Sequence, residues 1–344
     1  MTSTQPLVSI LIPAYNCQDW IADTLRSASA QTWPHKEIIV VDDGSTDQTL
    51  AVAQRFASRD ITVVTQKNQG AAAARNKAFS LSRGEYIQWL DADDFLSATK
   101  IARQMTAMSE SPDKLRLLSS GWAHFLYRPR LAAFKPTSLW CDLTQAEWLI
   151  RKMAENLHMQ TATWLVSREL TEKAGPWDTR LLGDDDGEYF CRVLLASNGV
   201  RFVPGPSVYY RAAGTGSLSY IAASRRKVEA HFLSMKMHID YLHSVERSRR
   251  ANEACVRYLN NWAIYFYPEH IDVFEQMRDL AESLGGKLDV PALSWKYAWI
   301  RSLFGWKAAK RFQIMAPALR WNLTRRFDKF MAQREGPIAV EKLP

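Results

Sequence analysis

The sequence predicts an α/β protein: a mostly parallel, Rossmann-like sheet followed by a helical C-terminal extension. Three observations predict it. Strand-like apolar runs alternate with helical patterns about every 24–30 residues through position 95, the signature of a parallel sheet with right-handed crossovers. Acidic clusters stand just past two of those runs, at Asp42-Asp43 and at Asp91-Ala92-Asp93-Asp94. From about residue 222 onward the pattern is helical almost to the end.

Residues 7–14 are β-branched and apolar and read as a buried strand. Trp20, Ile21, Leu25 and Ala28 follow at helical spacing. Residues 37–41 give the second strand, and 47–57 a helix with Leu50, Ala53 and Phe56 on one face. Residues 61–64 give the third strand. Gly70 opens an alanine-rich helix that stops at Arg83-Gly84. Residues 85–90 are the fourth strand. Beyond 95 the alternation loosens. Residues 99–109 read as helix, 115–127 as one or two strands, and 144–154 as helix. Residues 161–168 read as a strand, 186–197 as a helix and 200–203 as a strand. The stretch from Ala212 to Ser217 is loop-like. Two units result: 1–220, with halves 1–95 and 96–220, and a helical basic region, 221–344.

The 344 residues are 47% apolar and 23% charged, as in an ordinary soluble protein. No apolar run approaches the roughly 18 residues of a membrane-spanning helix. Met1 to Pro6 has no basic region leading into an apolar core, and the four cysteines are far apart with no C-x-x-C pair. A cytoplasmic setting is expected. Residues 287–334 hold eleven Lys/Arg and two acids, so they carry the net charge of +8 and slightly more.

There is no G-x-G-x-x-G after the first strand and no G-x-x-x-x-G-K-[ST] anywhere. Both a dinucleotide oxidoreductase and a P-loop nucleotidase are therefore disfavoured. Carboxylates at the carboxyl edge of an open sheet suit a ligand cleft. Asp91-Ala92-Asp93-Asp94 can manage phosphate charge by holding Mg²⁺ or Mn²⁺. Alone it also reads as an acidic loop cap; the matching pair at 42–43 favours the cleft. A third cluster, Asp184-Asp185-Asp186, precedes a helix carrying Tyr189, Phe190, Val193 and Leu194. It reads either as helix capping or as a poised general base.

The run Val8 to Asn16, then Val41-Asp42-Asp43-Gly44-Ser45-Thr46-Asp47, then Gly70 to Ala74-Arg75-Asn76, then Leu90 to Asp94, resembles the nucleotide-sugar half of glycosyltransferase family 2. The resemblance is specific over 7–95, weaker to about 219, and absent from the last third. It implies a GT-A fold, a nucleotide-sugar donor, most often a UDP-sugar, and inversion at the anomeric carbon. It implies that Pro13 and Tyr15 line the base and ribose pocket, and that Asp43 accepts from the base. Arg75 would lie near the nucleotide. Asp91 would contact the ribose or the metal's water shell, and Asp93 would bind the Mn²⁺ or Mg²⁺ that bridges the diphosphate. Asp185-Asp186 take the place of the family's Glu-Asp pair, because Arg192 then falls at the family's helix arginine. Asp186 is the expected base.

Tyr209-Tyr210-Arg211 is not followed by the histidine that ligates metal in many relatives. Residues 212–219 are expected as a mobile lid, with Arg211 and Ser217 able to reach phosphate. His158 and Trp164 are candidate acceptor contacts, against the alternatives of a plain polar residue and core packing.

Residues 317–331 open with Pro317, and Leu319, Leu323, Phe327, Phe330 and Met331 share one side. Arg325, Arg326 and Lys329 lie largely on the other, the pattern of a basic interfacial helix. Trp295, Trp299 and Trp306 add headgroup-type residues. The alternative is a solvated helix docked on the core. No nucleic-acid module is present, so nucleic acid is not expected as a partner. The expected function is an inverting transferase, peripheral at the anionic inner face of the membrane, acting on a hydroxyl of a growing, lipid-linked glycan. Three rivals remain: a transferase charging a polyprenyl phosphate, a phosphohydrolase of the strand-then-D-x-D type, and a non-catalytic nucleotide-sugar-binding or membrane scaffold.

Overall fold

The computed structural model describes residues 5–212, 224–336 and 338. A five-stranded sheet has the order β3-β2-β1-β4-β7. Its strands are β1 (Val8–Ala14), β2 (Lys36–Asp42), β3 (Ile61–Thr65), β4 (Tyr86–Trp89) and β7 (Val166–Ser167). All neighbours run parallel except β4 and β7. The order reverses direction between β1 and β4, so a crevice opens at their carboxyl ends, where such sheets bind ligands. The aspartates of two clusters stand there because each follows its strand directly.

Helices α1 (Ile21–Ser29), α2 (Thr49–Gln54) and α3 (Ala71–Leu81) make the crossovers. Continuous apolar runs in β1 and β2 are buried, as a sheet covered on both faces requires. Pro13 fits inside β1 because its side of the strand faces β4, whose pairing ends at Leu11. A smaller sheet, β5-β8-β6, adjoins the first. It comprises β5 (Phe95–Leu96), β6 (Leu117–Phe125) and β8 (Val200–Arg211). Between β5 and β6 runs α4 (Lys100–Glu110), and after β6 come α5 (Gln145–Ala154), α6 (Arg168–Ala174) and α7 (Asp185–Ala196).

The expected strand at 161–168 is mostly a turn. The Gln160 side chain accepts from Ala162 N at 2.6 Å, and Thr163 N donates to Gln160 O at 2.9 Å. This local capping holds 161–163 in a 3₁₀ turn and leaves only β7 to pair.

Helices α8 (Arg225–Val245), α9 (Arg249–Phe266) and α10 (Ile271–Ser283) follow. One buried cluster runs from Leu11, Ile39 and Trp89 through Tyr189 and Phe190 to Phe232, Leu259, Phe274 and Met277. The C-terminal helices thus share a core with the sheet. Helix α11 (Ala298–Glu335) does not begin at Pro317 as its sequence suggests. It runs through that residue, and its break is at Gly305, where φ is 79°.

Polar contacts fasten α11 at Lys310, past its break, and near its C-terminal end. Lys310 Nζ donates to Tyr267 O at 2.6 Å and pairs with Glu269 at 2.5 Å. Asp328 accepts from Tyr127 N at 2.9 Å and from Arg128 Nε at 2.6 Å. Its other side leaves Trp299, Leu303, Phe304, Phe312, Leu323 and Phe327 exposed. Among the described residues no helix is long and apolar enough to cross a membrane.

Candidate active site

Three acidic groups meet at the crevice, and Arg75 holds two of them together. It projects from α3, whose N-terminus follows Gly70. Arg75 Nη1 donates to Asp185 Oδ2 at 2.7 Å, and Nη2 donates to Asp91 Oδ1 at 2.8 Å. Its guanidinium lies 4.3 Å from the Trp177 ring centroid, and Trp177 in turn stacks on Tyr189. The side chain is buried, so both bonds form away from bulk water. Arg75, expected near the nucleotide, therefore joins the β4 cluster to the α7 cluster.

The three successive aspartates occupy different environments. Asp184 precedes α7 with φ of 57°, in the left-handed region that asparagine and aspartate tolerate. Its Oδ2 accepts from Ser234 Oγ of α8 at 2.5 Å, with His238 Nδ1 at 3.9 Å. Burial works against its charge, but His238, Lys152 and His231 outweigh it and hold the carboxyl below its ordinary range. Gly187 leaves room for this fold: a Cβ there would stand 2.1 Å from Asp184 Oδ1. Asp185 pairs with Arg75, although burial still lifts its pKa. Asp186 has no ion-pair partner among the described residues. Its Oδ2 accepts from Thr161 Oγ1 at 3.2 Å, and burial with the charges of Asp185 and Asp184 pushes it up to about 7.

On the β4 side, burial and the Asp91 charge push Asp93 up to about 6. Asp94 is fully buried and accepts from Gln160 Nε2 at 2.6 Å and from Arg211 N at 2.8 Å. On the β2 side, Asp43 accepts from Gln66 Nε2 at 2.8 Å, Gln69 N at 3.0 Å and Gly70 N at 2.7 Å. Three of its roughly four lone-pair positions are thus taken by the loop before α3, leaving one for a ligand. Pro13 is partly covered, and Tyr15 is half exposed on the crevice rim.

Two expectations change. Trp164 is not on the crevice: it is 1% exposed and packed between Trp148 and Phe190, so it makes no acceptor contact. Arg211 is not on an open lid: it is buried over Trp20, Phe95 and Phe125, and its Nε donates to Asp93 O at 3.0 Å. Tethered there, it steadies the Asp93 backbone. Ser217 lies outside the described residues, with most of the expected lid. His158 is exposed and rests its ring on Trp122 at 4.9 Å. Thr161, Ser234 and His238 were not singled out by the sequence. They carry no motif and reach the aspartates only through folding.

The profile described as Glycosyl transferase family 2 matches residues 9–165. A Bacillus subtilis protein named as a candidate teichuronic acid biosynthesis glycosyltransferase, TuaG, is 42% identical over 113 residues, covering 32% of this chain and 45% of its own. The Escherichia coli UDP-Glc:alpha-D-GlcNAc-diphosphoundecaprenol beta-1,3-glucosyltransferase WfaP is 46% identical over 103 residues, covering 30% of this chain and 41% of its own. The chain thus spans less than half the length of these two relatives. Among solved structures, TarS of S. aureus, in complex with UDP-GlcNAc, superposes with a TM-score of 0.63 at 16% identity, covering 90% of this chain and 92% of that one. The mannosyltransferase PcManGT of Pyrobaculum calidifontis, in complex with GDP-Man and Mn²⁺, gives 0.55 at 19% identity, covering 95% and 89%. At these identities the superpositions speak to fold alone. Residues 9–165 thus carry a glycosyltransferase family 2 domain, and the fold of the chain is GT-A.

Proposed function

We propose that the protein transfers a sugar from a nucleotide-sugar donor, a UDP-sugar, to a hydroxyl of a lipid-linked glycan, with inversion at the anomeric carbon. The observation that carries this reading is Asp186: a carboxyl pushed up to about 7 beside an arginine-clamped acidic pair, at the crevice of a GT-A fold. A base with a pKa near the working pH is the most effective proton acceptor.

Asp186 takes the acceptor hydroxyl proton. The hydroxyl oxygen bonds to the anomeric carbon as the bond from that carbon to the β-phosphate oxygen breaks, and the nucleoside diphosphate leaves. One displacement inverts the centre, and no side chain acts as nucleophile. Arg75 keeps Asp185 and Asp91 paired, so their charge does not compete for the proton.

No three ligating side chains converge among the described residues. A Mg²⁺ or Mn²⁺ that also takes phosphate oxygens needs only one or two carboxylates. Asp93, raised by burial and by Asp91, is a charge that a cation would relieve, so the residues fit such an ion. Asp93 would hold it, with Asp91 beside it. Bound there, it would neutralise the leaving diphosphate.

The relative WfaP is named for a diphosphoundecaprenol-linked acceptor. Helix α11 presents an exposed apolar side within a segment of net +9, which suits a peripheral site on an anionic cytoplasmic leaflet. The direct test is a panel of nucleotide sugars with Mn²⁺ or Mg²⁺, following donor loss and the anomeric configuration of the product by NMR. Retained configuration, or no turnover of any donor, would overturn the reading.

A further inference from the structure

Beside the acidic centre lies a shelf of four rings. Trp122 and His124 alternate with the buried Ala123 and Phe125 along β6, so they share the opposite face. Strand β8 sets Tyr210 beside His124 in register. Ring centroids are 4.8 Å apart for Trp122 and His124, 5.0 Å for His124 and Tyr210, and 6.0 Å for Trp122 and Tyr210. His158 completes the row at 4.9 Å from Trp122. Both imidazoles are exposed, whereas Trp122 and Tyr210 are partly covered.

The inner end of the shelf is the reaction centre. Burial raises the Tyr210 phenol pKa, and the charges of Asp94, Asp91, Asp186 and Asp93 all push it further up. The segment bearing His158 is tied to the same carboxylates, through Gln160 to Asp94 and Thr161 to Asp186. The Trp122 indole N–H is buried with no hydrogen-bond partner among the described residues.

Aromatic packing alone would bury these rings. Two of the four reach solvent, while Tyr210 and the segment from His158 to Thr161 lead the shelf toward the carboxylates. A pyranose has one apolar C–H face suited to an indole and a rim of hydroxyls suited to imidazoles. A neutral imidazole offers one donor and one acceptor; both rings reach solvent, yet desolvation of their inner sides lowers the pKa of His124 and that of His158 to about 4. Four nearby carboxylates repel an anionic ring.

Resting on the glycosyl-transfer reading above, we infer that Trp122, His124, His158 and Tyr210 form the acceptor subsite, which holds an uncharged pyranose with one hydroxyl directed at Asp186. The ring lies on Trp122, His124 and His158 bond its outer hydroxyls, and Tyr210 closes the inner end.

Two measurements on the full chain test this. Saturation-transfer NMR with uncharged alkyl hexosides, in the presence of UDP, reads the shelf without turnover. Kinetics with the same hexosides and an active UDP-sugar read KM. Trp122→Ala is expected to abolish the saturation-transfer signal and raise acceptor KM by about tenfold or more. UDP Kd should stay within about twofold, and Trp122→Phe should recover most of the loss. His158→Ala, a surface change, should raise acceptor KM by about threefold. The matching uronoside should bind poorly to the wild type. Unchanged saturation transfer and KM in both alanine variants, or preferred binding of the uronoside, would overturn the inference. Loss of hexoside binding in Trp122→Ala with no donor turnover in the wild type would instead keep the shelf and sink the transferase reading.

Discussion

Arg75 Nη1 and Asp185 Oδ2 lie 2.7 Å apart although 110 residues separate them. The same guanidinium reaches Asp91, so one buried cation ties the sheet edge to the first turn of α7. Removing it would leave two covered carboxylates without a partner.

Arg75→Met is therefore expected to lower stability by about 3–5 kcal/mol, the usual cost of breaking a buried pair. Arg75→Lys should recover little, because an ammonium cannot span both acids in one planar fork. Adding Asp185→Asn to Arg75→Met should restore part of the loss. Urea unfolding of the wild type, Arg75→Met, Asp185→Asn and the double variant closes the cycle, with Arg75→Lys measured beside them.

Asp186→Asn should retain UDP binding and lose transfer by on the order of 10²–10⁴. Asp185→Asn should be milder. In the wild type, transfer should rise with pH through about 7 as Asp186 loses its proton. Stability should move the other way. The folded-state value lies above the ordinary 3.8, so the burden is absent below that pH, grows as pH rises, and is complete above about 7. Asp186→Asn should thus raise Tm at pH 8 and change it little at pH 4. Melting curves at the two pH values decide this.

Asp93→Ala should abolish transfer and weaken UDP binding, since the diphosphate loses its counter-cation. Calorimetry of UDP with and without Mn²⁺ provides the check. Equal affinity of the wild type in both conditions would count against a metal role.

Gly187→Ala places a Cβ 2.1 Å from Asp184 Oδ1, a carboxylate that Ser234 already holds. The crowding should cost about 1–3 kcal/mol and displace the first turn of α7, so transfer falls with it. Ser234→Ala frees Asp184 to swing aside. The double variant should therefore lose less than the sum of the singles, as thermal unfolding and transfer rates can show.

Leu323 and Phe327 are exposed on α11. Replacing both by glutamate should cut flotation with anionic vesicles and leave Tm nearly unchanged. Wild-type flotation should fall with salt and with neutral lipid. Failure of the wild type to float at low salt on anionic vesicles would remove the membrane role.

The sequence by itself determined the sheet, its crossover helices and the placement of two acidic clusters at strand ends. These are local properties: periodicity reports which face is buried, and a residue directly after a strand must sit at its edge. The sequence also marked α11 as amphipathic and basic. Tertiary structure decided the rest. The different environments of Asp184, Asp185 and Asp186 depend on Ser234 and His238, on Arg75 and on Thr161, partners brought from α8, α3 and the turn after α5. Trp164 left the candidate site and Trp122 joined the shelf for the same reason. An aromatic residue has one composition but two fates, and only the neighbours that cover it decide between them. Helix α11 likewise needed the fold to show Asp328 seated on Tyr127 and Arg128. Charge, burial and pairing are sums over neighbours in space, and a sequence orders neighbours only along the chain.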